Sequence, residues 1–248
     1  MAQAEQLKNP PIAEALIDIR VEPPKSFDVN LLVDGARSLG PRYPRVEELF
    51  EMSGRIHLQP GAAASSTLAD QRVIGAVARA GDGLTIAQFR WNGFTLSRLA
   101  PYQGWDALRT EGIQRWIDFR RAVGTLPVQR IALRYINRIE IDSPLTDLAI
   151  YLTQPPLAPN GFSGELKSAF QRAVAFDPAR GTHVIVQHAL EPASAGDRVS
   201  LLFDIDVFVH TKDTVDDAEL SDTLEELHRL KNDVFFAAIT PATKRRFE

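Results

Sequence analysis

The chain has 248 residues, 44% of them hydrophobic and 24% charged, with a formal net charge of -4. That length holds one large domain or two of ordinary size, and the composition excludes a disordered chain. The acidic balance excludes a global positive field that would draw the protein to DNA, RNA or an anionic membrane, and the absence of cysteine excludes disulfides, thiolate metal sites and cysteine nucleophiles together.

Residues 1–9 lack the apolar region of a secretory signal, and no run approaches the roughly 18 apolar residues of a membrane span. The expectation is a cytoplasmic protein with no membrane association. Pro10-Pro11 opens the first element. Ala13, Ala15, Ile17, Ile19 and Val21 alternate with Glu14, Leu16, Asp18 and Arg20, the pattern of a strand covered on one face, and Pro23-Pro24 ends it. Ser26 or Asp28 can cap a helix in which Val29, Leu32, Val33, Ala36 and Leu39 recur at helical spacing until Gly40-Pro41.

Strand patterns follow at 48–58, 71–79, 84–90 and 94–99. Gly81-Asp82-Gly83 and Asn92-Gly93 supply the positive-φ residues that tight hairpins need, which makes this stretch an antiparallel meander. Residues 60–66, rich in Gly, Ala and Ser, read as a loop. Trp105, Leu108, Ile113, Trp116, Phe119 and Val123 then form an amphipathic helix bounded by Gly124.

The second half begins again with a strand, 128–141. Ser143-Pro144 can start a short helix through Tyr151, because proline is tolerated at the first helical position. A Pro-rich crossing, 154–161, leads to strands near 164–176, 183–191 and 199–210, with a turn at Ala195-Gly196-Asp197. The last helix starts near Asp216 or Asp217 and turns Leu220, Leu224, Leu227, Val234 and Ile239 inward, with Pro241 stopping it.

Each half thus runs strand, helix, several strands, helix, with units at 1–126 and 127–248 that can form one continuous domain. The class is α+β, an antiparallel sheet with long helices on one face. This is also the order of saddle-shaped sheets like that of the TATA-binding protein, an analogy of order alone. Identity between the halves is too low to show duplication.

Asn9-Pro10-Pro11-Ile12-Ala13-Glu14-Ala15-Leu16-Ile17-Asp18-Ile19-Arg20, the central Leu133-Arg134-Tyr135-Ile136-Asn137-Arg138-Ile139 and the terminal stretch 235–247 resemble signature blocks of a known family. It is a sporadically distributed prokaryotic family of uncharacterised proteins of about this length. The resemblance implies a prokaryotic cytoplasmic protein, fits a mobile or defence-associated gene, and transfers no catalytic residue.

Arg130, Arg134 and Arg138 share one face of the central strand, in a row spaced about 13 Å per four residues. Such a row suits phosphates or acidic partners. It can equally pair with Asp204 and Asp206 of another strand, or with Asp18 and Glu14 of the first. Asp204 and Asp206 themselves lie at i and i+2, where two carboxylates can jointly hold a divalent cation, and His210 shares their face if the strand stays regular. No Gly-Ser element precedes them and no Gly-rich phosphate loop exists, so a salt-bridged strand face is the plainer reading. Trp91, Phe94, Tyr102 and Trp105, beside Arg90 and Arg98, can stack on bases or fill a core. No serine lies in a nucleophile elbow, no histidine pair has ligand spacing, and no cofactor motif is present.

Three functional readings follow, the third being a small-molecule enzyme, which requires a deep pocket with convergent polar groups. The preferred one is a non-enzymatic binding module that engages a protein partner or a second copy of itself. The alternative is nucleic-acid binding, or metal-dependent nucleic-acid processing, through the arginine row and the Asp204/Asp206 strand.

Overall fold

Alternation of apolar and polar side chains fixes the first strand, β1 (Ile12–Val21), which buries Ala15, Ile17, Ile19 and Val21 and turns Glu14, Leu16, Asp18 and Arg20 the other way. The structure is a computed structural model that describes residues 7–23, 27–57, 65–142, 147–158, 161, 166–192 and 198–248. Among these, nine strands form one antiparallel sheet and four α-helices accompany it. After β1 the chain runs through α1 (Val29–Arg37), β2 (Arg45–His57), β3 (Ser65–Arg79), β4 (Thr85–Arg90), β5 (Gly93–Leu99) and α2 (Trp105–Val123). It continues with β6 (Val128–Asp142), β7 (Ala169–Asp177), β8 (Thr182–Pro192), β9 (Arg198–His210), α3 (Asp217–Ala238) and α4 (Pro241–Arg245).

The strand order is β2-β3-β4-β5-β1-β6-β9-β8-β7, so the opening strands of the two halves lie side by side at the centre. Ile17 is opposite Leu133 there, and Arg20 is opposite Arg130. Residues directly opposite one another share a face. One face therefore carries Phe89, Phe94, Leu96, Ile17, Ile19, Leu133, Tyr135, Phe203, Ile205 and Val207, and all of these are buried. The helices cover this face: α1 lies on β3 and β4, α2 on β5 and β1, and α3 on β6 and β9.

Local chemistry sets the helix ends. The Asp28 carboxylate caps α1 by accepting from the Asn30 amide, and Asp216 with Glu219 forms a reciprocal capping box at α3. Helix α2 approaches β1 so closely at Gly112 that a Cβ there would lie 2.4 Å from Ile17 Cδ1. Gly93 has a φ of 145°, and a Cβ would meet the Ile19 carbonyl oxygen at 2.2 Å, so glycine is required both by the turn and by the neighbouring strand.

Several expectations need correction. Ser65 and Ser66, read as loop, belong to β3, which pairs with β2 along its full length; most of the 60–66 segment lies outside the described residues. The helix expected from Ser143-Pro144 to Tyr151 is a single 3-10 turn at Leu148–Ile150, capped by Asp147, and residues 143–146 lie outside the described set. The Ala195-Gly196-Asp197 turn and the first residues of the strand expected near 164–176 also lie outside it, and that strand begins at Ala169. Val234 is only half-buried, and Phe235 takes the core position beside it. Pro241 does more than stop α3: with Thr240 as its cap it begins α4, a first-turn role that proline's fixed φ suits.

Candidate functional site

The face of the sheet opposite the helices collects the charged residues that the sequence singles out. Asp18 on β1 is its hub. Its carboxylate accepts from Arg20 Nε at 2.9 Å, Arg90 Nη2 at 3.1 Å, Arg130 Nη1 at 3.1 Å and the Thr95 hydroxyl at 2.6 Å. Arg130 Nη2 also donates to both oxygens of Asp206, at 2.8 and 2.7 Å. One step along, Arg134 grips Asp204 with two parallel bonds, Nε to Oδ1 at 2.9 Å and Nη2 to Oδ2 at 2.5 Å, while Gln187 adds a third at 3.0 Å. Paired donors of this kind match carboxylate geometry closely.

The reach is set by register. Arg134 stands opposite Asp206 yet leans to Asp204, and Arg130 stands opposite His210 yet leans to Asp206. Desolvation pushes the Asp206 carboxyl up, and the positive charges of Arg130 and Arg134 oppose that. Its hydrogen bonds to Asp204 raise the Arg134 guanidinium, while burial lowers Arg90. Arg138, the third member of the row, is exposed and makes no ion pair among the described residues.

Asp204 and Asp206 thus share a face as the spacing requires, but guanidinium donors occupy their oxygens. His210 sits at the strand end, with Nδ1 3.1 Å from the Gln129 carbonyl oxygen, and packs edge-on against Phe208 and His183. Among the described residues no group of three acidic or histidine side chains is placed to hold a metal ion.

Toward β7 this face turns aromatic and apolar. Phe176 stacks on His183 (centroids 4.4 Å apart), His183 on Phe208 (4.8 Å), and the Arg130 guanidinium lies 4.3 Å over the Phe208 ring, so four strands contribute to one stack. Phe170, Val174 and Phe176, all on this side of the edge strand β7, are 68%, 57% and 55% exposed. The aromatics of the first half divide differently. Phe94 is core, Trp105 is buried against α3, Tyr102 donates to or accepts from Tyr135 at 2.8 Å, and half-buried Trp91 lies beneath Arg72.

On the helix-covered face lies a feature that the sequence reading missed. Lys231 of α3 is only 6% exposed. Its ammonium lies 3.9 Å from the Tyr135 ring centroid and donates to Asn232 Oδ1, and no carboxylate contacts it among the described residues. Burial drives its pKa down to about 7. It borders a cavity of about 270 Å³ lined by Tyr102, Trp105, Asn137, His228, Phe235 and Phe236, among others. His228 stacks flat on Trp105, 4.2 Å away, and burial followed by the nearby cations depresses its pKa to about 3, so it is neutral. The Tyr102 hydroxyl is pushed up to about 12 by burial. A signal was present in the sequence: Leu220, Leu224, Leu227, Lys231 and Phe235 continue one stripe at helical spacing.

Comparison of the chain with models of known protein families and with curated proteins finds no match in either. No helix among the described residues is long and apolar enough to cross a membrane.

Proposed function

We propose that the protein is a non-enzymatic, cytoplasmic interaction module that binds protein through the β7 end of its open sheet face, a second copy of the chain being the occupant that the strand's own chemistry suits. The carrying observation is β7 itself: the last strand of the sheet, hydrogen-bonded only to β8 among the described residues, with three large apolar side chains exposed in alternation. An exposed edge with an apolar face is a template for pairing with another strand. Two copies of β7 run antiparallel about Ala173 would set Phe170 of one opposite Phe176 of the other and bury both, the self-complementary contact of a two-fold dimer.

The saddle analogy belongs to this reading. β1 and β6 lie together, and the later strands of each half fan outward from them, which supports two related units with one exposed face for binding. A second reading, nucleic-acid binding or processing through Arg130, Arg134, Arg138, Asp204 and Asp206, keeps one supporting observation, Arg138, which is exposed and makes no ion pair among the described residues. Against it, Arg130 and Arg134 are already spent on carboxylates.

Sedimentation velocity tests the proposal. The expected result is a dimer at micromolar concentration that Phe176→Lys converts to monomer with melting unchanged. A chain that stays monomeric throughout, or a dimer indifferent to Phe170→Lys and Phe176→Lys, overturns it.

A further inference from the structure

The cavity beside Lys231 has three properties that together define a ligand. Its walls are apolar and aromatic, supplied by Trp105, Phe235 and Phe236 with Ile12 across from them. Its lining includes two cationic side chains, Lys231 and Lys8, and no carboxylate among the described residues. Its volume, about 270 Å³, falls just below the range of about 300 to 1,000 Å³ that serves drug-sized molecules.

Among the described residues, buried Arg98 and half-buried Arg115 are matched by carboxylates. Arg98 donates to Asp82 at 2.6 Å, and Arg115 lies between Glu111 and Asp118. Lys231 is buried as deeply as Arg98 yet among the described residues meets only an amide oxygen and a ring face. Glu225, an acidic residue of the same helix, is held by Trp105 Nε1 at 2.7 Å and by Arg109. Burying an ammonium without a counter-charge is costly unless something supplies one. Asn137 adds polarity at the same wall: its Nδ2 is committed to the Phe203 carbonyl, which fixes the orientation of its amide.

We propose that this cavity is a binding site for a small monocarboxylate with an apolar, preferably aromatic, body, whose carboxylate pairs with the Lys231 ammonium while its body lies between Trp105, Phe235 and Phe236. The inference is independent of the β7 interface, which lies on the other face of the sheet. The titratable groups that share the cavity wall with Lys231 among the described residues fit this assignment. Tyr135 from β6 and Tyr102 from the segment before α2 remain protonated, His228 on α3 is neutral, and Lys8 adds positive charge.

Isothermal titration with benzoate and with phenylacetate, and with benzamide as the uncharged counterpart, tests the site in the full chain. The expected result is saturable binding of at least one acid, weakened about tenfold or more by Lys231→Met, with benzamide weak in both proteins. Phe236→Trp, which fills the cavity and leaves the ammonium in place, should also abolish binding and serves as the decisive variant if Lys231→Met does not fold. Failure of both acids to bind at millimolar concentration would overturn the proposal. So would binding that survives both substitutions, or benzamide binding as tight as benzoate.

Discussion

Lys231 and Asp204 illustrate how differently two charged residues can be settled in one molecule. Asp204 is buried on the open face and accepts three hydrogen bonds from Arg134 and Gln187, so its charge is compensated. The charge of Lys231 meets no carboxylate among the described residues. Its native pKa, about 7, lies below the 10.5 of an unfolded lysine, so between those values the unfolded chain binds the extra proton and stability rises with pH. The penalty is complete below about pH 7 and gone above about 10.5. Lys231→Met should therefore raise unfolding free energy at pH 6 to 7 by about 1 to 3 kcal/mol, since apolar replacement of an uncompensated buried charge is stabilising. The gain should shrink toward zero near pH 10.5. Urea denaturation at both ends of that range checks it, and a loss of stability at pH 6 would mean that the ammonium holds the helix in place. His228, with a native pKa near 3, has the same sign at lower pH: its contribution is lost progressively as pH falls from about 6.5 toward 3.

At the scale of elements, α3 shows what periodicity can carry. Leu220, Leu224 and Leu227 are buried against β6 and β9, as their spacing requires. Leu224→Ala should cost about 2 to 5 kcal/mol, because the cavity it leaves lies under a rigid sheet; an unchanged denaturation midpoint would refute the packing. The same periodicity places Lys231 within the stripe, yet a lysine there is ordinarily assigned to the flank, where it can extend its charge to water. β1, β6 and β9 were legible for a comparable reason. Their apolar residues recur at every second position on the face that meets the helices, and the other face carries Asp18, Arg134, Asp204 and Asp206, whose pairing follows from opposite signs on one face. β7 was harder to read. It is an edge strand exposed along nearly all its length, so its burial carries no alternation for its sequence to match. The Lys231 cavity was not legible at all: Tyr102, Asn137 and Lys231 are brought together only by tertiary packing.

The whole molecule is one sheet shared by both halves. Pairing of β1 with β6 extends from Ile12 opposite Asn137 to Val21 opposite Val128. Helix α2 of the first half touches α3 of the second, where Trp105 donates to Glu225 and stacks on His228. Separating the halves would expose Ile17, Ile19, Leu133 and Tyr135, all fully buried, so their stabilities are coupled. Calorimetry should give one cooperative transition, and 1–126 and 127–248 expressed separately should not fold. Two resolved transitions would show that the halves are autonomous.

The Asp18 hub has a consequence for what this surface can become. A single carboxylate there pairs with three arginines, Arg20 of its own strand, Arg90 of β4 and Arg130 of β6, while Asp206 shares the load of Arg130. Exchange of Asp18 for a neutral residue would remove one negative charge and release fixed guanidinium groups onto an otherwise open sheet, on the same strand face as Arg138, which makes no ion pair among the described residues. The chain is thus one codon change away from an adhesive, cation-rich face. Asp18→Asn should therefore increase salt-sensitive retention of the protein on a polyanion such as heparin.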